Sequence, residues 1–298
     1  MNLAAIRRAR PLLGTLVEIA AHGPDAEAAV AAAFRAVEQV HALMSYHDPA
    51  SDVSRLNREA AGRTVTVHPW TWQVLHAARE FSLASDGLFD ITVAPALTRL
   101  GYLPRHADFP PASSRADWRS IELLPRHQVR FACPLHIDLG GIAKGFAVDR
   151  AIEALQAGGV TSARVNAGGD LRRYGSQKET LHVRHPHAPT LLLPIIELGE
   201  GAAATSAGYF ALHRSGGLPC SPHIHPRTGR SLAVDISATV LARDCMTADA
   251  LTKIVLADRH AAGPVLERFG ARALVIDRDN HTGAWRLREA PRLRESHA

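Results

Sequence analysis

Cysteine is scarce. Cys133, Cys220 and Cys245 are the only three in 298 residues, stand far apart and form no CxxC pair, which argues against a disulfide framework or a cysteine zinc site and points to a reducing compartment. Long apolar runs are missing as well, and none reaches the roughly 18 residues of a membrane span. Met1 to Arg10 contains arginines with no apolar stretch behind them, so no signal peptide, lipoprotein cysteine or twin-arginine leader is visible. The sequence reads as cytoplasmic, or periplasmic if its N-terminus was trimmed. Excess charge is small: 34 Lys+Arg against 29 Asp+Glu gives +5, too little and too scattered for a nucleic-acid partner, although it suits an anionic small ligand. His182, His185 and His187 lack metal-ligand spacing and a nearby carboxylate. Ser206 is not in a GxSxG elbow, and the glycine motifs match neither the Rossmann nor the Walker A spacing.

What is present is an ordered series of elements. Apolar positions Val30, Phe34, Val37, Val40 and Met44 recur at three and four residues and predict a helix from Pro24 to Met44, with His41 packed on its inner side. A second helix is predicted from Pro69 to Ser85, ended by Asp86-Gly87. Between them, Ser45 to Asn57 reads as a capped surface loop, with Tyr46 placed to stack on a flat ring. Strands are predicted at 12–21, 121–122, 129–131, 135–139, 162–166, 181–184, 191–198, 233–241 and 273–277, and a helix over 245–256. The Arg-rich end from 286 to 298 reads as a loose tail. Helices come singly between groups of strands, which makes the chain α+β and not a doubly wound sheet.

The most informative stretch is Asp138-Leu139-Gly140-Gly141-Ile142-Ala143-Lys144-Gly145, followed by Asp149. It reads as a strand end, a tight turn and a helix start. Free N–H groups and the positive end of the helix dipole collect anions there, and Lys144 adds a full charge. An ordinary strand-to-helix connection has the same outline, but a second junction, Asn166-Ala167-Gly168-Gly169-Asp170, raises the case that both rim one cleft. On the helix from Cys245, Asp249 shares a face with Thr252 or Lys253.

Taken in order, Leu13-Gly14-Thr15, Ser45 to Asn57, Asp86 to Thr92, Asp138 to Asp149, Asn166 to Asp170, Thr205-Ser206, Pro226-Arg227-Thr228-Gly229 and Ala248-Asp249-Ala250-Leu251 resemble the ApbE family of FAD:protein FMN transferases. The resemblance implies one α+β, T-fold-like domain over 1–298, made of two closely packed lobes with FAD in the cleft between them. It implies Mg²⁺-assisted transfer of FMN to a threonine or serine of an acceptor flavoprotein, with release of AMP. By position, Leu13, Tyr46, Leu88, Phe89, Asp90, Asp138, Lys144 and Ile224 would face FAD. Gly141, Asp249 and Thr252 would meet the metal, and Asp249 and His223 would be catalytic. A Mg²⁺-dependent FAD pyrophosphatase and a non-catalytic FAD binder are the alternatives. The chain departs from the family pattern in Leu13 for methionine, Ala207 after Thr205-Ser206, and Pro222-His223-Ile224-His225-Pro226 for His-Ile-Ile-Asp-Pro. Four residues after Asp249, the family's threonine is Lys253. Either Thr252 or a water completes the metal shell, or the Lys253 ammonium takes part of the metal's space.

Overall fold

The computed structural model describes residues 5–186, 188–215, 218–232, 235–278 and 285–290, so His187, residues 233 and 234 and the chain beyond Ala290 lie outside the described residues. An eight-stranded sheet forms the backbone of the fold. Its order across the sheet is Ala5–Leu12, Thr15–His22, Ser162–Ala167, Asp170–Tyr174, Gly201–Ala207, Ser237–Ala242, Arg272–Arg278, Trp285–Glu289, and every pairing is antiparallel. Period-two alternation explains how it seats: Val17, Ile19 and Ala21 are buried while Leu16 is 58% exposed.

Among the described residues seven α-helices accompany the sheet: α1 (Ala26–Met44), α2 (Asp52–Glu59), α3 (Pro69–Ala84), α4 (Ala94–Arg99), α5 (Ala143–Ala157), α6 (Cys245–Ala257) and α7 (Ala262–Arg268). The predicted stripe of α1 is buried at Val30, Phe34, Val37, Val40 and Met44. It belongs to one continuous core with Val17 and Ile19 of the sheet, Phe146 and Ile152 of α5, and Leu251 and Val255 of α6. Each such side chain contributes roughly 1.5–3 kcal/mol on burial. Helices α5 and α6 meet almost backbone to backbone at Gly145, where an added Cβ would lie 2.3 Å from the Cys245 carbonyl oxygen. No helix among the described residues is long and apolar enough to cross a membrane.

The structure corrects the sequence reading at several points. The 12–21 strand is the second arm of a hairpin, Ala5–Leu12 with Thr15–His22, turned by Leu13 (φ 56°) and Gly14 (φ 70°). This left-handed pair matches the twist of a two-residue hairpin. Part of the 45–57 loop is α2, capped by the Ser51 hydroxyl accepting from the Ser54 N–H at 3.0 Å. Residues 135–139 form no strand: Asn57 takes a neighbouring strand's place, donating to the Ile137 carbonyl at 3.0 Å and accepting from its N–H at 2.7 Å. His41 is exposed and not packed in the core. Lastly, Trp285–Glu289 is a strand on Arg272–Arg278, so the start of the supposed tail is part of the sheet.

Candidate functional site

A cavity of about 500 Å³ opens over the glycine turn, within the usual range of small-molecule sites. Part of its lining is apolar and aromatic, made by Leu13, Tyr46, Leu88, Phe89 and Ile224. Asp90, Asp138, Gly141, Lys144, His223 and Lys253 line it as well. Asp249 and Thr252 do not line it; both are fully buried directly behind.

Each element brings its side chain for a local reason. Asn57 fixes Ile137, and the Asp138 N–H donates to the Ile91 carbonyl at 2.8 Å, so the Asp138 carboxyl turns toward the cavity and accepts from the Gly140 N–H at 3.2 Å. Asp90 caps the following turn, accepting from the Thr92 N–H and hydroxyl, each at 2.8 Å. Tyr46 packs edge-on against His106 and Phe109, and His106 binds the Tyr46 carbonyl at 3.0 Å. The segment bearing His223 and Ile224 is tied down by Arg227 on the Asp86 carboxylate at 2.7 Å and by Arg99 on the Gly229 carbonyl at 2.9 Å.

Beneath these lies a charged quartet. Lys144, in the first turn of α5, donates to Asp170 at 2.5 Å and reaches Asp249 Oδ2 at 3.4 Å. The free Gly145 N–H, also at the start of α5, donates to the same oxygen at 3.1 Å. Lys253, one turn along α6, binds Asp249 Oδ1 and donates to the Asp249 carbonyl and the Ser206 hydroxyl, each at 3.1 Å. The two glycine junctions thus do meet, joined by the Lys144–Asp170 pair.

Titration follows from this packing. Burial pulls the Lys144 ammonium down, but Asp170 and Asp249 outweigh it and hold its pKa well above the usual lysine value. Burial and the Asp249 charge push Asp170 up to about 6, against Lys144 and Lys253. Burial acts on Asp249 in the same sense, yet Lys144 and Lys253 overcome it and keep Asp249 below the ordinary carboxylate range. Burial, then Lys253 and Lys144, push His223 down to about 3. At neutral pH the site therefore presents the Lys144 ammonium and a neutral His223 imidazole.

The positions that the family resemblance assigns to a metal do not suit one here. Both Asp249 carboxylate oxygens face ammonium groups. The Thr252 hydroxyl donates to the Asp249 carbonyl at 2.7 Å and meets Ser206 at 2.7 Å. A Mg²⁺ ion wants a near-octahedral set of oxygens and several waters, and here a positive side chain stands among the oxygens. Among the described residues, no group of three or more His, Cys, Asp or Glu could hold a metal ion.

Three contributors had weak signals or none in the sequence. Asp170 was flagged by the repeated glycine junction, while Ser206 was rejected as a nucleophile and noted only within the Thr205-Ser206 stretch, with no sign of its tie to Lys253. Asn57 was read only as the end of the Ser45 to Asn57 loop, since its partner Ile137 is 80 positions away.

A sequence profile of the ApbE family matches residues 13–274. A Rhodobacter capsulatus protein named FAD:protein FMN transferase is 30% identical over 283 residues, covering 89% of this chain and 54% of its own length. One of the same name from Vibrio cholerae is 29% identical over 231 residues, covering 73% of this chain and 69% of itself. The chain thus spans about half of the first relative and about two thirds of the second. Among solved structures, an ApbE protein from Thermotoga maritima superposes with a TM-score of 0.84 at 25% identity, covering 96% of this chain and 97% of its own. A flavin transferase ApbE from Vibrio cholerae does so at 0.81 and 24%, covering 97% of each, a likeness of fold. With a profile match across most of its length and an α+β fold shared with those structures, this chain belongs to the ApbE family.

Proposed function

We propose that the cavity binds FAD and that the chain transfers the FMN moiety onto a Thr or Ser hydroxyl of an acceptor flavoprotein, with release of AMP. The observation that carries this reading is the pairing, in one cavity, of an aromatic and apolar wall with the ammonium groups of Lys144 and Lys253. A flat ring system joined to a pyrophosphate needs both. The relatives named as FAD:protein FMN transferases support the reading.

We place the cavity between two lobes, one the large sheet with α1, α5 and α6, the other residues 45–141. Leu13, Tyr46, Leu88, Phe89 and Ile224 enclose the apolar parts of FAD, and Asp138 and Asp90 offer carboxyls to its polar groups. Lys144 and the start of α5 meet the pyrophosphate. In the transfer, the acceptor oxygen forms a bond to the phosphorus on the riboflavin side, and the bond from that phosphorus to the bridging oxygen breaks. The bridging oxygen and its electron pair leave with AMP. His223 lines the cavity and takes the hydroxyl proton once the FAD pyrophosphate offsets the Lys253 and Lys144 charges that, with burial, hold its pKa down. Asp249 acts from behind, holding both ammonium groups where charge builds up on the leaving phosphate.

Incubation with FAD and a peptide bearing an Asp-x-x-Ser-Gly-Ala-[Ser/Thr] site, followed by mass spectrometry, tests this. FMN addition to the peptide is the expected result. FMN and AMP with unmodified peptide would make the chain a pyrophosphatase, and intact FAD would make it a binder.

A further inference from the structure

Lys253 is held as few surface lysines are. Its three N–H donors have three oxygens to meet, the Asp249 carboxylate, the Asp249 carbonyl and the Ser206 hydroxyl. Asp249 is fully buried and Ser206 is 6% exposed. The stem is held as well as the head: a Cβ placed on Gly141 would lie 3.5 Å from Lys253 Cε and 3.7 Å from Lys253 Cγ, with Phe89 also at 3.7 Å. The lysine therefore fills the space between the glycine turn and α6, its stem beside Gly141 and its head on Asp249. A divalent ion could enter there only by displacing the ammonium from a carboxylate whose other oxygen already serves Lys144 and the Gly145 N–H.

We propose that Lys253 is a built-in cation standing in the place of a divalent metal, so that this chain binds and cleaves FAD without bound Mg²⁺. The inference rests on the transferase reading for its chemistry and on the packing of Lys253 for its geometry. The bonds made and broken are those of the transfer described above. The fixed charge of Lys253, beside that of Lys144, opposes the negative charge that develops on the departing AMP phosphate. An ammonium pinned by three oxygens needs little reorganisation to do this.

The test titrates Mn²⁺ into the full chain, with and without FAD, and reads free Mn²⁺ by electron paramagnetic resonance. FAD affinity and FAD cleavage are measured in parallel with EDTA and with excess Mg²⁺. Wild type should show no stoichiometric Mn²⁺ site, and its FAD affinity should change by less than about threefold between the two conditions. Lys253→Thr, which opens the space and adds an oxygen, should bind one Mn²⁺ at least about tenfold more tightly than wild type. Lys253→Met, which keeps the stem and removes the charge, should cleave FAD more slowly than wild type in EDTA. A tight Mn²⁺ site in wild type, or cleavage abolished by EDTA and restored by Mg²⁺, would overturn the proposal. If no FAD is cleaved in any condition, the transferase reading fails, while the Mn²⁺ titration of wild type still decides the place of Lys253.

Discussion

The Asp149 carboxylate, on α5, accepts the backbone N–H of Cys245 at 2.9 Å, the first residue of α6. Its second oxygen takes the Met246 N–H at 2.8 Å, and Arg172 from the sheet donates to the first oxygen at 2.7 Å. One buried carboxylate therefore docks the helix that carries Asp249 and Lys253 against the helix that carries Lys144. Asp149→Asn should cost about 3 kcal/mol in urea unfolding, the scale of breaking a buried charged pair. It should also weaken FAD binding, because α6 loses its anchor. An unchanged unfolding midpoint would show that the capping role is incidental.

Gly145 sets two physical effects against each other. Helix propensity favours alanine over glycine by about 1 kcal/mol, but the new Cβ would lie 2.3 Å from the Cys245 oxygen and 2.8 Å from the Met246 Cα, backbone atoms that cannot rotate away. Sterics should win. Gly145→Ala is expected to lower stability by about 2–3 kcal/mol, whereas Gly62→Ala, whose nearest neighbour would be 3.8 Å away, should stay within about 0.5 kcal/mol. Equal unfolding midpoints for the two variants would contradict the packing account.

How much of this could be read from the sequence depended on how local the cause was. Helix α1 was legible because its burial repeats along its own residues, and the Asp138–Lys144 turn because glycines, a carboxylate and a lysine sit within seven positions. The strand at 135–139 was misread for a specific reason: the alternation of Leu135, Ile137 and Leu139 is real, but the Asn57 amide replaces the strand neighbour. Helix α2 was missed because only Val53 and Leu56 of its buried residues are apolar; Asp52, Ser54 and Asn57 are buried polar groups, Asp52 satisfied by the His68 N–H and the Thr71 hydroxyl at 2.8 Å each. Lys253 was visible as a departure, but only the structure shows its ammonium on Asp249 and Ser206 together.

That role for Asn57 gives a third test. Removing its amide leaves the Ile137 N–H and carbonyl buried and unpaired, at about 1–3 kcal/mol for each group. Asn57→Ala should lower stability by at least about 2 kcal/mol and weaken FAD binding through the adjacent Asp138. Calorimetry showing wild-type FAD affinity in a stably folded variant would sink the link to Asp138.

His223 gives a pH signature. Its folded pKa, about 3, lies below the ordinary 6.5. Between those values the unfolded chain binds more protons than the folded one, so stability falls as pH drops through that window. The loss is at most about 1.4 kcal/mol per pH unit. His223→Gln should flatten this part of the profile, and the wild-type imidazole carbon-bound proton should show no NMR titration between about pH 7.5 and 5. A titration midpoint near 6.5 would mean that Lys144 and Lys253 do not act on His223 as described.

The account turns on FMN passing from FAD to a protein hydroxyl. The most direct measurement follows AMP and flavin-modified acceptor in the same reaction over time, with wild-type protein and FAD in excess. The account predicts that the two products rise together in equal amounts, and that His223→Gln slows both by at least about a hundredfold. AMP rising without modified acceptor, or neither product forming while FAD stays bound, would contradict it.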